Sequence, residues 1–240
     1  MPVAVVTGGS RGIGRAVALR LADTGAAVVV NYRTDRAAAG EVVTTIEEAG
    51  GRAVSVAGDV ADPGQIRHLF DAAEAAFGGI DIVVNNAGIA HFSPIAEATD
   101  DDFDRLFAVN TKATFLVLRE AANRLRDGGR IVVVSSGATV THRPGSGLYA
   151  AGKAAAEQLV RVLARELAPR AITVNSVLPG PVRTDALAAA GLAQADRIAA
   201  SIPMGRLGEP GDIADIVGFL ASEEARWITG AALPASGGAF

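Results

Sequence analysis

The amino-acid sequence predicts an α/β fold in which a mainly parallel β-sheet carries helices on both faces. Short apolar runs of strand length, such as residues 28–30 and 131–134, alternate with longer alanine-rich amphipathic segments along the whole chain. Buried parallel strands joined by crossover helices have this pattern. In addition, no Gly- or Pro-rich linker and no internal repeat interrupts the alternation. We therefore expect one doubly wound domain over residues 1–240, with right-handed crossovers.

Seven apolar runs predict seven strands of this sheet. They lie near residues 3–7, 27–32, 53–57, 80–85, 130–135, 172–178 and 231–234. Helices are expected in the segments between them. One of these segments, residues 101–127, has the apolar spacing of a single amphipathic helix.

The composition argues against nucleic acid and metal ions as partners. The formal net charge is −4, and no basic run of the length that follows a phosphate backbone is present. The chain contains no cysteine, so disulfides, thiolate ligands and a thiol nucleophile are excluded. The three histidines, His68, His91 and His142, lack the spacing of metal ligands.

The apolar runs are also too short for a membrane protein. Each is far below the roughly 20 residues that a membrane-spanning helix requires. The first residues, Met1 to Val3, show neither a charged leader nor a signal-like core before the first strand. We therefore expect a cytoplasmic protein with no membrane partner.

A glycine-rich loop at residues 7–14 joins the first strand to the first helix. Its glycines permit a tight turn, and the helix N-terminus offers free N–H groups to a diphosphate. Glycines often only turn a chain, but the strand before and the helix after favour a Rossmann-type dinucleotide site. The residues expected to contact the dinucleotide are Gly8, Ser10, Arg11, Gly12, Ile13 and Gly14.

The end of the second strand favours NADP(H) over NAD(H). A fold that binds NAD places an acidic residue there for the ribose hydroxyls, but Tyr32 occupies that position. Arg33 follows it, and Arg11 lies in the glycine loop, so two guanidinium groups could meet a 2′-phosphate. The alternative is that both arginines are ordinary solvated surface residues.

Two further loops lie at the carboxyl ends of predicted strands, where open α/β sheets bind ligands. Asp59 and Val60 follow the third strand and could meet an adenine, or form a capping turn with Asp62, which precedes Pro63. The motif N-N-A-G at residues 85–88 follows the fourth strand. It offers Asn86, Ala87 and Gly88 to the cofactor, although turn chemistry alone would also explain these residue types.

The segment from Ser136 to Lys153 holds the candidate catalytic residues. Tyr149 and Lys153 are four residues apart at the start of a predicted helix, so both can reach one bound molecule. Taken singly, each has a plainer explanation: Ser136 as a turn residue, Tyr149 as a packing residue and Lys153 as a solvated charge. Asn110 is unfavourable within a helix and is either a solvent-facing accident or the site of a local bend.

The order and spacing of these motifs along the chain resemble the short-chain dehydrogenase/reductase family. The shared motifs are T-G-x-x-x-G-x-G at 7–14, Asp59, N-N-A-G at 85–88, Asn110, Ser136, Y-x-x-x-K at 149–153 and Pro179-Gly180. The chain looks most like the NADPH-dependent 3-oxoacyl-carrier-protein reductases and related carbonyl reductases and ketoreductases. It departs from the family pattern at Ser236, where an aspartate is common.

The resemblance implies site residues, partners and assembly. It implies a catalytic tetrad of Asn110, Ser136, Tyr149 and Lys153, with Asn110 bending its helix and holding a water that relays protons to Lys153. It also implies that Tyr149 and Lys153 contact the cofactor, with further contacts near the nicotinamide from Pro179, Gly180, Val182 and Thr184. It implies a small carbonyl or alcohol substrate and a homotetramer or homodimer.

The chemistry expected of the tetrad is the interconversion of a ketone and a secondary alcohol. Tyr149 would be the proton donor in reduction, and Ser136 would bond to the carbonyl oxygen. A Lys153 ammonium about 4 Å away would lower the pKa of Tyr149 by about 3 units. The alternatives are a specialised 3-oxoacyl-carrier-protein reductase, for which Arg170 could help to dock the carrier, and a nucleotide-sensing protein without turnover.

Substrate recognition is expected in residues 185–208. An apolar lid could be formed there by Leu187, Leu192, Ile198, Ile202 and Met204, with Gly205 and Gly208 as hinges. An ordinary packed pair of helices explains the same apolar residues equally well. The loop 139–147, with His142 and Arg143, could also help to choose the substrate, whereas the role of His91 stays open.

Overall fold

A computed structural model describes residues 1–184 and 192–240, and for residues 192–194 it describes the backbone only. Its seven strands form one sheet in which every neighbouring pair is parallel, in the order β3-β2-β1-β4-β5-β6-β7. The predicted doubly wound α/β fold is therefore confirmed. The strands are β1 Val3–Val6, β2 Ala27–Tyr32, β3 Arg52–Ala57, β4 Ile80–Asn85, β5 Leu125–Val134, β6 Thr173–Pro179 and β7 Ala232–Ala235.

Helices connect the strands and cover both faces of the sheet. The α-helices are α1 Gly12–Asp23, α2 Arg36–Glu48, α3 Pro63–Phe77, α4 Asp100–Phe107, α5 Ala113–Arg124, α6 Ala138–Thr141, α7 Gly147–Leu167, α8 Leu192–Ser201 and α9 Pro210–Leu220. A π-helical turn, Ala108–Lys112, joins α4 to α5. Short 3-10 helices lie at Ile95–Glu97, Ala168–Arg170 and Glu223–Ala225. Among the described residues, no helix combines the length and apolar character needed to cross a bilayer.

Alternate residues of the central strands feed two separate cores. Ala4 and Val6 of β1 pack into the core beneath α1, α2 and α9, whereas Val5 between them packs into the core beneath α3, α5 and α7. Because successive side chains of a strand point to opposite faces, one apolar run is buried on both sides. This explains why the central strands are continuously apolar rather than alternating.

The strand order changes direction between β1 and β4, which are neighbours although two other strands separate them in sequence. The connections that leave these two strands diverge to opposite sides. A crevice therefore opens at their carboxyl ends, which is the usual ligand position in such sheets. The glycine loop and the N-N-A-G motif both lie at this edge.

One predicted helix and one predicted strand have different bounds in the structure. The helix expected over residues 101–127 ends at Arg124 and is interrupted by the π-helical turn. Strand β5 begins at Leu125 rather than near residue 130, because Leu125 is buried and pairs with Ile80 of β4. The pairing then loses regular register until Ile82, and Gly128 turns the chain there with φ of 77°.

Candidate functional site

The glycine loop after β1 has the backbone shape that the motif predicted. Gly8 and Gly12 have φ of 61° and 54°, a region that favours glycine. A Cβ at Gly14 would overlap the carbonyl oxygen of Gly8. Helix α1 begins at Gly12, so its free N–H groups face the end of the loop. The loop can therefore bring its backbone close to a phosphate group.

The end of β4 is fastened to this loop by hydrogen bonds. The hydroxyl of Thr7 accepts from the backbone N–H groups of Asn86 and Ala87, at 3.0 and 3.1 Å. The side-chain amide of Asn86 donates to the backbone carbonyls of Thr7 and Gly8, each at 3.1 Å. Asn86 is thus committed to holding two loops together, which keeps the crevice between β1 and β4 in one shape.

A first cavity of about 310 Å³ lies over this crevice. Most of the predicted cofactor residues line it: Gly8, Ser10, Arg11, Ile13, Arg33, Asp59, Val60, Asn86, Ala87, Gly88 and Thr184. The predicted residues Gly12 and Gly14 shape the loop without lining the cavity. The sequence did not single out several further lining residues: Asn31, Thr34, Asp35, Ile89 and Val109.

Asn31 is the most informative of these additions. It is buried at the end of β2, where its side-chain oxygen accepts from the N–H of Gly8 at 3.2 Å and its amide donates to the carbonyl of Gly58 at 3.0 Å. A polar residue in an otherwise apolar buried run was the signal that could have revealed it. Asn31 links the first three strand ends around the cavity.

The two arginines expected near a ribose phosphate both line this cavity. Arg33 is largely exposed and lies 3.9 Å from the carboxylate of Asp59. Arg11 is exposed on the glycine loop. Asp59 also accepts a turn hydrogen bond from the N–H of Ala61 at 2.9 Å, so it both closes a turn and lines the cavity.

Asn110 lies in the π-helical turn and is buried. Of the two explanations that the sequence offered, a solvent-facing residue or a local bend, the structure therefore supports the bend. Its side chain accepts from the N–H of Ile89 at 3.0 Å and donates to the carbonyl of the same residue at 2.9 Å. A Cβ at Gly88 would lie 3.0 Å from both the Asn110 Oδ1 and the Lys153 Nζ. The missing side chain at Gly88 therefore allows these two groups to approach each other.

Lys153 is a buried lysine at the carboxyl end of β5. Its ammonium donates to the carbonyl of Val134 at 2.9 Å, and only 6% of the residue is exposed. Burial lowers the pKa of Lys153 from 10.5 to about 8, and the nearby Glu157 carboxylate opposes that shift. Lys153 is therefore a positioned cation at neutral pH rather than a solvated surface charge.

Tyr149 and Ser136 lie side by side, and their hydroxyl groups interact. Burial raises the pKa of Tyr149 above its ordinary value, while the hydrogen bond with Ser136 acts in the opposite direction. The expectation that Lys153 lowers this pKa is wrong for the protein alone, because desolvation of the phenolate outweighs the other influences. At neutral pH Tyr149 is therefore a protonated phenol.

The polar residues of α7 meet three consecutive residues at the end of β5. Lys153 bonds to Val134, Tyr149 lies beside Ser136, and the buried carboxylate of Glu157 accepts from the hydroxyl of Ser135 at 2.6 Å. Arg161 also donates to Glu157, at 3.3 Å. Glu157 was not expected from the sequence, because a glutamate in a helix is most often exposed.

A second cavity of about 610 Å³ opens beside Ser136 and Tyr149. The ring of Phe92 meets the Tyr149 ring edge-on at 5.5 Å between centroids. The ring of Phe240 lies so close to Gly137 that a Cβ at residue 137 would overlap it. Both phenylalanine rings line the cavity and were missed by the sequence analysis. Further lining residues are Arg143, Ser146, Pro179, Gly180, Pro181, Arg197, Ile198 and Ser201.

The four residues expected near the nicotinamide lie in three different environments in the structure. Pro179 and Gly180 line the second cavity, and Thr184 lines the first. Val182 lines neither: it is buried and forms an isolated β-bridge with Gly208. These residues connect the two cavities along one stretch of chain.

The expected apolar lid is only partly present at the second cavity. Leu187 lies outside the described residues, and so does the side chain of Leu192. Ile198 lines the cavity, whereas Ile202 is buried elsewhere. Met204 is 72% exposed and lines a different hollow, so its assignment to the lid was wrong.

Neither His91 nor His142 lines the second cavity. His91 faces Asp102, with 3.5 Å between the imidazole and the carboxylate. His142 ends α6 in a left-handed conformation, with φ of 48°, and lines a neighbouring hollow. Arg143, the next residue, does line the second cavity, as the sequence suggested.

Comparison with known proteins gives consistent matches across nearly the whole chain. A family model described as Enoyl-(Acyl carrier protein) reductase matches residues 8–239. The NADPH-dependent aldehyde reductase-like protein of Arabidopsis thaliana chloroplasts is 44% identical, over 98% of this chain and 93% of its own. Versicolorin reductase of Emericella nidulans is 43% identical, over 99% of this chain and 95% of its own.

A solved structure is similar in fold as well as in sequence. The landomycin C-6 ketoreductase LanV, with bound NADP and rabelomycin, superimposes with a TM-score of 0.91 at 43% identity. The match covers 99% of this chain and 96% of that one. The two cavities described above therefore belong to a fold that binds NADP and rabelomycin in this similar protein.

Proposed function

This chain belongs to the short-chain dehydrogenase/reductase family, and from that premise we propose that it interconverts a ketone and a secondary alcohol. The observation that carries the proposal is the contact between Tyr149 and Ser136 at the wall of the second cavity, with the buried Lys153 one turn further along α7. This arrangement supplies a proton donor and a hydrogen-bond donor to one carbonyl oxygen. Ser136 and Tyr149 line the second cavity, and the Lys153 ammonium lies beside Gly88, which lines the first.

The cofactor is NADP(H), which supplies or accepts the hydride. The residues of the first cavity fit it: the glycine loop offers backbone N–H groups, Arg11 and Arg33 suit a 2′-phosphate, and Tyr32 rather than an acidic residue ends β2. The Arabidopsis relative is named NADPH-dependent, and the ketoreductase LanV has NADP bound.

Tyr149 is proposed as the acid in reduction. Its raised pKa keeps the hydroxyl protonated at neutral pH, and the proton becomes transferable as negative charge develops on the carbonyl oxygen. Ser136 stabilises that charge with a second hydrogen bond. In the reverse direction the same phenol must lose its proton, and a nearby cation then favours the phenolate.

Lys153 is proposed to hold the nicotinamide ribose and to provide that cation. With a pKa of about 8 it is mostly charged at pH 7, and its bond to Val134 keeps it at the sheet edge. Asn110 supports it by shaping the adjacent π-helical turn. A water relay through Asn110 stays a prediction; its side-chain amide already bonds to Ile89.

The alternative of a carrier-protein reductase depended on Arg170 as a cation that could dock the carrier, and this arginine is already occupied within the protein. Arg170 is paired with Asp127 at 2.8 Å and also donates to backbone carbonyls of Ala122 and Leu125. Its neighbours in space are likewise occupied, since Arg124 is paired with acidic residues of α3. A free ketone is therefore the preferred substrate form.

The proposal is tested by following NADPH oxidation with a panel of carbonyl compounds: 3-oxoacyl thioesters, cyclic ketones, polycyclic aromatic ketones and sugars. We expect NADPH-dependent reduction of at least one ketone class. Tyr149→Phe should lower kcat by roughly 10²–10⁴-fold while NADPH still binds, because only the transferable proton is lost. NADPH binding without turnover of any carbonyl would favour the nucleotide-sensing alternative.

We also propose that the protein assembles into a homo-oligomer and is located in the cytoplasm. Phe115 on α5 and Val162 on α7 are large apolar residues that are nearly half exposed, and Trp227 is 95% exposed. These surfaces support a homotetramer or homodimer, because exposed apolar patches commonly become subunit contacts. Light scattering coupled to size exclusion tests the assembly, and cell fractionation tests the proposed cytoplasmic location.

A further inference from the structure

The described side chains that line the second cavity include cationic groups and no acidic group. Arg143 and Arg197 line it, and none of its described lining residues is acidic. The chain as a whole has the opposite balance, with a net charge of −4. An excess of cations at the substrate cavity of an acidic protein indicates selection for an anion at that place.

Arg143 is held at a defined distance from the reacting groups. Its guanidinium lies over the ring of Phe92 at 6.0 Å from the centroid, and the Phe92 ring meets Tyr149 edge-on. One aromatic ring therefore separates the cation from the proposed proton donor. Phe92 is itself 56% exposed, so a flat apolar face is available beside Tyr149.

Arg197 comes from a different element, α8, and lines the same cavity next to Ile198 and Ser201. Neither Arg143 nor Arg197 has an acidic partner within 4.0 Å among the residues that the structure describes. By contrast, Arg124, Arg170 and Arg206 are each paired with a carboxylate. As far as the described part of the chain shows, both cavity arginines are thus available to a ligand.

We propose that the substrate is a ring-bearing ketone with an anionic group, of which a carboxylate is the reference case. This inference rests on the proposed function, since Tyr149 must receive the carbonyl. The ring packs against Phe92 and Phe240, and the anion lies about one ring away from the carbonyl, where Arg143 and Arg197 bind it. Guanidinium groups suit this role because they bind carboxylates through paired hydrogen bonds.

The test compares 4-acetylbenzoate with its methyl ester, which has nearly the same shape and no charge. Binding of each compound to the NADPH-loaded protein is measured by calorimetry, and reduction is measured as kcat/KM. We expect the acid to bind at least about tenfold more tightly than the ester, since one charge-assisted hydrogen bond is worth about that factor. Added salt should reduce this preference.

Substitutions of the two cavity arginines test whether they cause the preference for the acid. Arg143→Gln and Arg197→Gln should each reduce the preference for the acid over the ester, and the double variant should abolish it. Arg67→Gln serves as the control, because Arg67 is an exposed arginine of α3 that lines neither cavity. It should keep both the preference and the activity.

The outcomes separate the two claims. Equal binding of acid and ester, or an unchanged preference in both cavity variants, would overturn the anionic-substrate inference while ketone reduction stands. A clear preference for the acid, lost in the cavity variants, combined with no reduction of any carbonyl compound, would overturn the proposed reaction and leave the anion site in place.

Discussion

The hydroxyl of Ser135 donates a 2.6 Å hydrogen bond to the carboxylate of Glu157, and both residues are almost wholly buried. Glu157 is one helical turn beyond Lys153, on the same face of α7. The pair therefore joins the last residues of β5 to the helix that carries the catalytic candidates. It also places a negative charge where it stabilises the Lys153 ammonium.

Replacing Glu157 by Gln should move the pH dependence of the reaction. Glu157 raises the pKa of Lys153, so its neutral isostere should let that pKa fall further below 10.5 than it does in the wild type. If reduction requires the Lys153 cation, activity is lost as pH rises through its pKa, and this loss should begin at lower pH in Glu157→Gln. A pH profile of kcat/KM for the ketone measures the shift.

Ser135→Ala is the matched control for this variant. It removes the hydrogen bond to Glu157 but leaves the carboxylate charge and its contact with Arg161. Its alkaline limb should therefore stay near that of the wild type. An unshifted limb in Glu157→Gln, or an equal shift in both variants, would contradict an electrostatic role for Glu157.

The buried Lys153 should also leave a signature in stability. Its folded pKa of about 8 lies below its ordinary value of 10.5, so the unfolded chain binds more protons between these pH values. Stability contributed by this group therefore rises with pH across that window. Lys153→Met does not bear the cost of burying a charge. The excess of its free energy of unfolding over that of the wild type should therefore shrink by up to about 3 kcal/mol between pH 8 and 10.5.

Urea unfolding of both proteins at several pH values measures this difference. Comparison within one background cancels the titration of other groups to first order. A constant difference between Lys153→Met and the wild type across the window would show that Lys153 is not desolvated in the folded protein.

Gly14→Ala should damage both folding and cofactor binding. A methyl group at residue 14 meets the carbonyl of Gly8 and lies 2.5 Å from the amide of Asn86, so the glycine loop must move. We expect a lower unfolding temperature and at least about tenfold weaker NADPH binding, since a displaced N–H group loses a phosphate hydrogen bond.

Gly40→Ala provides the opposite control. Gly40 lies inside α2, and a Cβ there meets nothing within 4 Å. This substitution should raise stability by about 0.5–1 kcal/mol, because alanine favours helix over glycine. NADPH affinity should not change. Similar effects from the two alanines would mean that the clash at residue 14 is relieved without cost.

Arg33→Ala should weaken the preference for NADPH over NADH. Among the residues that the structure describes, the guanidinium has one weak acidic partner, Asp59 at 3.9 Å, and it lines the cofactor cavity. Loss of one contact to the 2′-phosphate should cost about tenfold in NADPH affinity and little in NADH affinity. Fluorescence titration with both cofactors measures this. An equal loss for the two cofactors would place Arg33 away from the phosphate.

Much of the architecture could be predicted because it depends on local pattern. The buried parallel strands are continuously apolar, and the glycines of the loop 7–14 are required by its backbone geometry. The position of Tyr149 and Lys153 on one face of α7 follows from their helical spacing alone. These features need no knowledge of distant contacts.

The features that the sequence missed depend on contacts between distant segments. The purpose of Asn110 becomes evident only when Ile89 lies beside it, and β5 starts early because Leu125 meets Ile80. The raised pKa of Tyr149 likewise follows from burial, which spacing does not report. Phe240 is far from Ser136 in sequence, so no local motif could have placed its ring in the cavity.

The close contact between Gly137 and Phe240 limits how this cavity can evolve. Any larger residue at position 137 would require the ring of Phe240 to leave, and loss of the ring would open space that only a new side chain could fill. A larger residue at position 137 should therefore change where the Phe240 ring lies, and with it the shape of the cavity beside Ser136. Libraries that aim to change substrate range should vary both positions together, because the side chain at one position sets the space that is left for the other.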